Sequence, residues 1–511
     1  MTLARRALAA LALASPLAWA GCGARSGLSD CYSDADCAAR DLCATQRCVA
    51  RACVVIARTV CDDADPCTND ACDKKTGACV FAPLTFDLDK DGHRAPLAGK
   101  APGAPGACGD DCDDSDARAY PGGREVCDGV DNDCDGVIDN GAVYAPRSPG
   151  SDVRVSTTDL DYAESGALVR GGGDVSLATY LGFTNQQLQP YTVMLDDLGA
   201  AKTTPKTIGT TPAAAGSAIG AWTGDRYGVA WSDRRDGNYE IYFATFDANG
   251  AKLAPGDIRV TVTDGFSIYP ALAWTGAEFA LVWQEELEPH GWRLDGQRLG
   301  LDGRLLGDIV KVVDLTNEEQ APALAFGQTE LGLAWVRLEA NVEQVYFATL
   351  GLDLALRSKP ARATEASGGG RAATVVWAKD RFLTAWYAPK PGARAVMTAP
   401  FGADGARLSA PRKVADTGAS ETRDPALLSL GDRVLAVYAD DRDGNGGYEL
   451  YARMLDTNGG PLGLAQRVTN APGDSISPSI AFGHTGSVGV LFRDDRGARP
   501  AVYFTSLACA Q

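Results

Sequence analysis

Short runs of apolar residues, each closing on an aromatic, recur along the chain at Tyr180, Trp231, Trp283, Trp335, Trp386, Tyr438 and Phe492, at intervals of 51, 52, 52, 51, 52 and 54 residues. So even a period marks a repeat architecture in which one supersecondary unit is copied along the chain. Within a copy the runs are rich in Val, Leu, Tyr, Phe and Trp and bounded by Gly, Asn and Asp, and helical periodicity is absent. The third copy reads as strand Pro270–Trp274, a turn at Thr275-Gly276-Ala277, strand Phe279–Trp283, then a variable loop into a third strand. In other copies Asp247-Ala248-Asn249-Gly250 and Asp456-Thr457-Asn458-Gly459 supply the turn from the third strand to a fourth.

Seven such four-stranded units over residues 151–511 predict an all-β fold, a seven-bladed β-propeller. Blades pack face to face, which explains continuous apolar runs such as Phe279-Ala280-Leu281-Val282-Trp283 where alternation would otherwise be expected. The last copy ends after its third strand, and Asp152–Thr157, similar to Ile258–Val262 of a normal fourth position, is expected to complete it. Sealing the ring in this way removes the exposed edge of an open sheet. The signatures of WD40 and kelch repeats are missing.

Upstream of the repeats the chain changes character. Arg5 and Arg6 precede the apolar run Ala7–Ala14, and Ala18-Trp19-Ala20 forms an A-x-A-like cleavage site, so residues 1–21 read as a signal peptide. Leu17–Cys22 resembles a bacterial lipoprotein signal, which implies lipidation of Cys22; cleavage after Ala20 without a lipid is the alternative. No later stretch approaches the roughly 18 apolar residues of a membrane span. Of 15 cysteines, nine lie between Cys31 and Cys79 and four between Cys108 and Cys134. Removing Cys22 leaves an even number, and the odd one of the nine is expected to pair with Cys509. This density after an export signal implies an oxidising compartment and a disulfide-held region over residues 22–80. Zinc is the weaker reading there, because paired C-x-x-C knuckles are lacking. The run Cys61 to Cys72, with Gly77-Ala78-Cys79, resembles the CTDC-type extracellular cysteine repeat, which implies a spacer or adhesion module.

The net charge of −18 is unevenly placed: residues 81–140 hold fourteen acidic and five basic residues. That balance excludes nucleic acid and anionic membrane surfaces as natural partners and points to cations. Asp87, Asp89 and Asp91 alternate ahead of Gly92, and Asp131, Asp133 and Asp135 alternate ahead of Gly136, with Asp139 following. Alternate carboxylates before a glycine are what a loop needs to curl around a hard cation, and an all-oxygen set favours calcium over zinc or copper. Both loops lack the bidentate Glu of an EF-hand, since Ala98 and Ala142 stand at that position. The run Asp110–Asp116, including Asp111 and Asp113, is the expected donor of the missing oxygens. Together Asp87–Asp139 resembles the MopE-type metal-binding repeat, which implies a structural or adhesive extracellular cation module over residues 81–141.

Catalytic signals are thin. His93, His290 and His484 are the three histidines, and none sits in a triad or metal motif. Neither a G-x-S-x-G elbow nor the sialidase S-x-D-x-G-x-T-W box occurs. Charged turns between second and third strands, with Asp233, Arg235, Asp441, Arg442 and Asp494, form one rim. They read either as a ligand-binding surface or as locally paired hairpin turns. The sequence is therefore read as an exported, monomeric surface protein of the outer membrane or cell surface, or otherwise secreted or periplasmic. It would bind a glycan or protein ligand, touching the membrane only through an N-terminal lipid. The alternative is a carbohydrate-active enzyme with acids on the propeller rim, because a fold alone does not assign catalysis.

Overall fold

The computed structural model describes residues 31–510 apart from 38–40, 126–129, 137–142, 148–151, 185, 210–214, 316–317, 366–367, 389–393, 416–419, 445–446 and 484–485. Cys22 and Asp139 lie outside the described residues. The chain divides into two compact units, Met1–Pro121 and Gly122–Gln511.

The first unit has little apolar material to bury. Its two hairpins, Ala44–Val49 with Ala52–Arg58 and Thr68–Cys72 with Cys79–Pro83, leave the strand Ala52–Arg58 exposed along its whole length. Covalent links take the place of a core: Cys31–Cys48, Cys37–Cys53, Cys43–Cys72, Cys61–Cys79 and Cys67–Cys108. Each such bridge removes freedom from the unfolded chain and typically contributes about 2–4 kcal/mol. The odd cysteine of the first nine is thus Cys67, and its partner is Cys108 rather than Cys509. That bridge ties the cysteine hairpins to the middle of the acidic segment, whereas Cys509 is engaged in a different disulfide.

The second unit is the expected all-β ring of seven sheets. Its first strands are Tyr162–Arg170, Ala215–Trp222, Ser267–Trp274, Glu319–Phe326, Arg371–Ala378, Thr422–Ser429 and Ser475–Phe482. Each packs against the next, and the seventh against the first. The second strands carry the repeated aromatics, and all seven of these rings are buried. In the second blade, for example, residues 227–233 are buried on both faces, which is why the apolar pattern there is unbroken. Fourth strands are short in most blades, as with Ile258–Arg259 in the second and Arg412–Lys413 in the fifth, but longer in the third, Leu305–Val313, and the sixth, Pro461–Arg467.

The seventh blade closes the ring as expected: Val153 and Arg154 pair with Phe504 and Tyr503 of the strand Ala501–Ala510. A segment not anticipated as a strand, Val143–Pro146, pairs with the remainder of it, Leu507–Ala510. Leu160, Ala163 and Leu168 of the first blade and Leu491, Val502 and Phe504 of the seventh share one core across the seam.

Every first strand is interrupted by a bulge, opposite the repeated aromatic in the third to seventh blades and one residue to either side of it in the first and second. In five of them the extra residue takes a left-handed conformation: Tyr269, Ala321, Ala372, Asp424 and Ser477. Such bulges locally twist a strand and re-aim its side chains. They lie at the end of the ring where second strands turn into third strands.

Candidate functional site

The acidic segment of the first unit is folded by its own carboxylates. Asp87 accepts from the N–H groups of Lys90 (2.6 Å) and Gly92 (3.2 Å), Asp89 from Asp91 N–H (3.2 Å), and Asp91 from His93 N–H (2.7 Å). Lys90 and Gly92 are both left-handed, which curls the loop. Asp89 and Asp91 each spend one oxygen on the turn and keep the other available, whereas Asp87 uses both. Asp111 is brought under the loop by a close backbone crossing, with its N–H donated to Arg94 O at 3.1 Å. Glycine is required there: a Cβ on Gly109 would stand 2.1 Å from Arg94 O and 2.2 Å from Ala95 O.

Two sets of carboxylate oxygens result, Asp89 with Asp91 and Asp111, and Asp87 with Asp89 and Asp114, the atoms of each set lying within 4.8 Å of one another. Asp111 is fully buried, and its Oδ2, like Oδ2 of Asp89 and of Asp91, has no hydrogen-bond donor. Burial pushes the Asp111 carboxyl above its usual range, and the neighbouring Asp91 and Asp89 charges push the same way. Asp89 is raised likewise by desolvation and by Asp91. Converging, unsatisfied oxygens of like charge are costly unless a cation neutralises them, so these residues fit a hard divalent ion.

Asp113 is not part of either set. Its Oδ1 accepts from Ser115 Oγ at 2.6 Å and its N–H is donated to Asp111, so it shapes the turn. Asp114 takes the place expected for it: Oδ1 accepts from Leu88 N–H at 3.0 Å beside Asp87. His93 caps the segment, hydrogen-bonded to Asp110 at 3.1 Å and stacked on Tyr120 at 5.3 Å.

The second acidic loop belongs to the other unit. Asp131 accepts from Asp135 N–H (3.2 Å) and Gly136 N–H (2.8 Å), and Asp133 accepts from Asp135 N–H at 3.1 Å. Asp131 and Asp133 converge with Glu125, which the sequence reading did not single out. Glu125 is 1% exposed; its Oε1 accepts from Asp133 N–H at 2.8 Å while Oε2 has no donor. Burial lifts the Glu125 carboxyl above its usual range. The signal available in the sequence was a lone Glu six residues before Asp131, next to the Pro121-Gly122 turn.

On the propeller the charged turns serve the blades themselves. Asp233 is buried; its Oδ2 accepts from Trp231 Nε1 at 3.2 Å and from Arg235, whose Nη1 also donates to Asp257 at 2.7 Å. Arg235 lies 4.3 Å over the Tyr242 ring. The sixth blade repeats this with Arg442 on Asp440 (2.9 Å) and over Tyr451 (4.2 Å). The seventh repeats it with Arg496 on Asp494 and Asp152 (both 2.7 Å) and over Tyr503 (4.3 Å). In the fourth, Arg337 pairs with buried Glu319 at 3.1 Å and covers Tyr346 at 4.2 Å. The recurrence makes this a brace holding second strand to third, and it occupies Asp233, Arg235, Arg442 and Asp494 of the expected rim. Asp441 accepts from Glu421 N–H at 2.6 Å.

A different cluster sits between the first and seventh blades. Arg493 lies 3.0 Å from Asp495 and 3.9 Å from Glu164. Both carboxyls are raised above their usual range, chiefly by burial.

Two family models match parts of the chain: Cu-binding MopE, a metal-binding motif, over residues 111–140, and the Dictyostelium (slime mold) CTDC repeat over residues 60–84. No curated protein matches. Similar solved structures include a protein of unknown function from Dyadobacter fermentans, 13% identical over 72% of this chain and 100% of its own, with a TM-score of 0.47. A polysaccharide lyase, an ulvan lyase, is 10% identical over 70% of this chain and 98% of its own, with a TM-score of 0.47. A puromycin-hydrolyzing peptidase from Mycobacterium tuberculosis is 16% identical over 70% of this chain and 55% of its own, with a TM-score of 0.41. Likenesses at this level carry nothing about chemistry. The bridged cysteines and the MopE-type motif are those of an extracellular or periplasmic protein. Among the described residues no helix is long and apolar enough to cross a membrane.

Proposed function

We propose that this chain is an exported recognition protein in which a disulfide-bonded, calcium-loaded segment precedes a propeller that presents a ligand surface. It would act as a monomer, lipidated on Cys22 and displayed at the outer membrane or cell surface. The observation that carries the reading is the set of donorless oxygens on Asp89, Asp91 and Asp111, with a second set at Glu125, Asp131 and Asp133. Both sites consist of carboxylates alone, which suits calcium; copper, named in the matching motif, prefers nitrogen and sulfur donors. The ion would stiffen a segment that has almost no apolar core.

The test is calcium titration of the full chain by calorimetry, with copper as comparison. Calcium binding together with a raised melting temperature supports the reading, and silence toward calcium rejects it. Mass spectrometry of the mature N-terminus reports on Cys22. A second reading, a carbohydrate-active enzyme, is favoured by one feature: Glu164 and Asp495 come from different blades and flank Arg493. Turnover of a polysaccharide that Glu164→Gln abolishes would establish it.

A further inference from the structure

In a repeat protein, whatever every copy keeps is architecture, so a ligand site is sought where neighbouring copies depart from the pattern. The departure here falls on one level of the sheets, that of the second-strand residue directly after the repeated aromatic and of its partner on the first strand. It reads Ile268 with Gln284 in the third blade and Gln320 with Val336 in the fourth. In the fifth it is Arg371 with Tyr387, in the sixth Arg423 with Ala439, in the seventh Ile476 with Arg493 and in the first Glu164 with Leu181. In the second blade Ser232 stands at this level, opposite the bulge at Gly216 and Ser217, so four consecutive blades carry charge where the other three carry none.

These side chains join into a half-buried band. Arg423 stands 6.0 Å over the Tyr387 ring and 5.7 Å over Tyr448, rings that belong to different blades. Arg394 donates to Glu421 at 3.1 Å and to the Tyr448 hydroxyl at 3.2 Å, and that hydroxyl donates to Glu421 at 3.1 Å. Arg423 is paired with Asp424 at 3.0 Å, Arg371 with Glu343, and Arg493 with Asp495 at 3.0 Å. Every guanidinium therefore already has its carboxylate, and no surplus positive charge is left to recruit an anion. What the band offers is alternating planar donors and acceptors beside two tyrosine rings. None of it is needed for the brace, which the second and fourth blades maintain without such a band.

We propose that the band on blades five and six, centred on Tyr387, Arg423 and Tyr448, binds a neutral oligosaccharide, with sugar hydroxyls exchanging hydrogen bonds with the Arg–carboxylate pairs and a sugar face resting on Tyr387. This rests on the reading of the propeller as a recognition surface and names its ligand class. Neutrality follows from the balanced pairs together with the chain's net charge of −18. A uronate polymer would meet Glu421 and Asp424 without a free cation in compensation.

The test uses the full-length protein with calcium, titrated calorimetrically with neutral gluco-, xylo- and manno-oligosaccharides, with uronate oligosaccharides and with a lysine-rich peptide. A neutral sugar should bind, and Tyr387→Ala and Arg423→Met should each weaken it by about tenfold or more with the melting temperature preserved. Gln320→Ala, at the same register on the fourth blade, should leave it unchanged. Tyr448→Phe removes only a hydroxyl and keeps the test open if Tyr387→Ala does not fold. Binding only to uronates or to the peptide overturns this proposal while leaving a recognition role standing. Binding of a neutral sugar that neither Tyr387→Ala nor Arg423→Met alters places the site elsewhere and overturns it too. Absence of binding to all three classes overturns it and counts against the recognition role as well.

Discussion

Replacing Arg235 by methionine separates the two readings of the charged turns. The guanidinium is 11% exposed and lies between Asp233 and Asp257, whose side chains are 3% and 6% exposed. Lys252 also reaches Asp257, so removing Arg235 leaves Asp233 as the carboxylate with least compensation. Deleting one partner of a buried ion pair typically costs about 3–5 kcal/mol, because the charge left behind stays desolvated. Methionine keeps much of the apolar contact with Tyr242, so the loss should lie in the lower half of that range, about 3 kcal/mol. Adding Asp233→Asn removes the stranded charge, and the double variant should recover at least about 1 kcal/mol relative to Arg235→Met, a coupling expected of residues in one network. The assay is equilibrium unfolding in urea, with tryptophan fluorescence reporting on Trp231 beside the brace. An Arg235→Met midpoint equal to that of the wild type, or strictly additive effects, would refute the brace and return Arg235 to the ligand surface.

Asp111→Asn should abolish the calcium-dependent rise in melting temperature of the first unit, whereas Asp113→Asn should leave it nearly intact. At a calcium concentration of a hundred times Kd the ion contributes about 2.7 kcal/mol, and differential scanning calorimetry with and without chelator reads it; equal behaviour of the two variants would contradict the geometry. Trp283→Ala should cost about 3–5 kcal/mol as for other buried aromatics, with a loss below about 1 kcal/mol excluding a core position. Glu285 accepts from Trp283 Nε1 and Ser267 Oγ yet is raised above the usual glutamate range, chiefly by burial. The folded state therefore holds this proton at pH values where the unfolded chain has released it, and stability falls as pH rises from the unfolded value through the raised one. Glu285→Gln should flatten the unfolding free energy across that window, and an unaltered pH profile would show that Glu285 is not the titrating group.

The ring was legible because its determinants are local and repeated. An aromatic every 51 to 54 residues must be buried by something, and copies of one unit bury it against one another. The loops at Asp87 and Asp131 were legible for a similar reason, since alternate carboxylates before a left-handed glycine fold themselves. Details that depend on distant chain were not. Whether Asp113 or Asp114 turns inward is decided by the hydrogen bond from Ser115 and by Leu88, 26 residues upstream of Asp114. The Cys67–Cys108 bridge spans 41 residues and has no spacing signature. Val143–Pro146 looks like a linker because it is short and ends in proline, and it becomes a strand only once Leu507–Ala510 is there to pair with it. The Asp-x-Arg turns look like ordinary surface hairpins until the third-strand tyrosine beneath each arginine is placed.

The seam of the ring also fixes how the molecule meets mechanical load. Val143–Pro146 and Val153–Arg154 are laid along the last strand by ladders that join residues more than 340 positions apart. Cys509 of that strand is disulfide-bonded, and every other cysteine of the chain lies upstream of residue 143, so tension from that side enters the last strand through a covalent bond as well as through those few hydrogen bonds. If a tethered cell surface pulls on this protein, the seventh blade is where the load enters, and its covalent clasp keeps the ring from unzipping there.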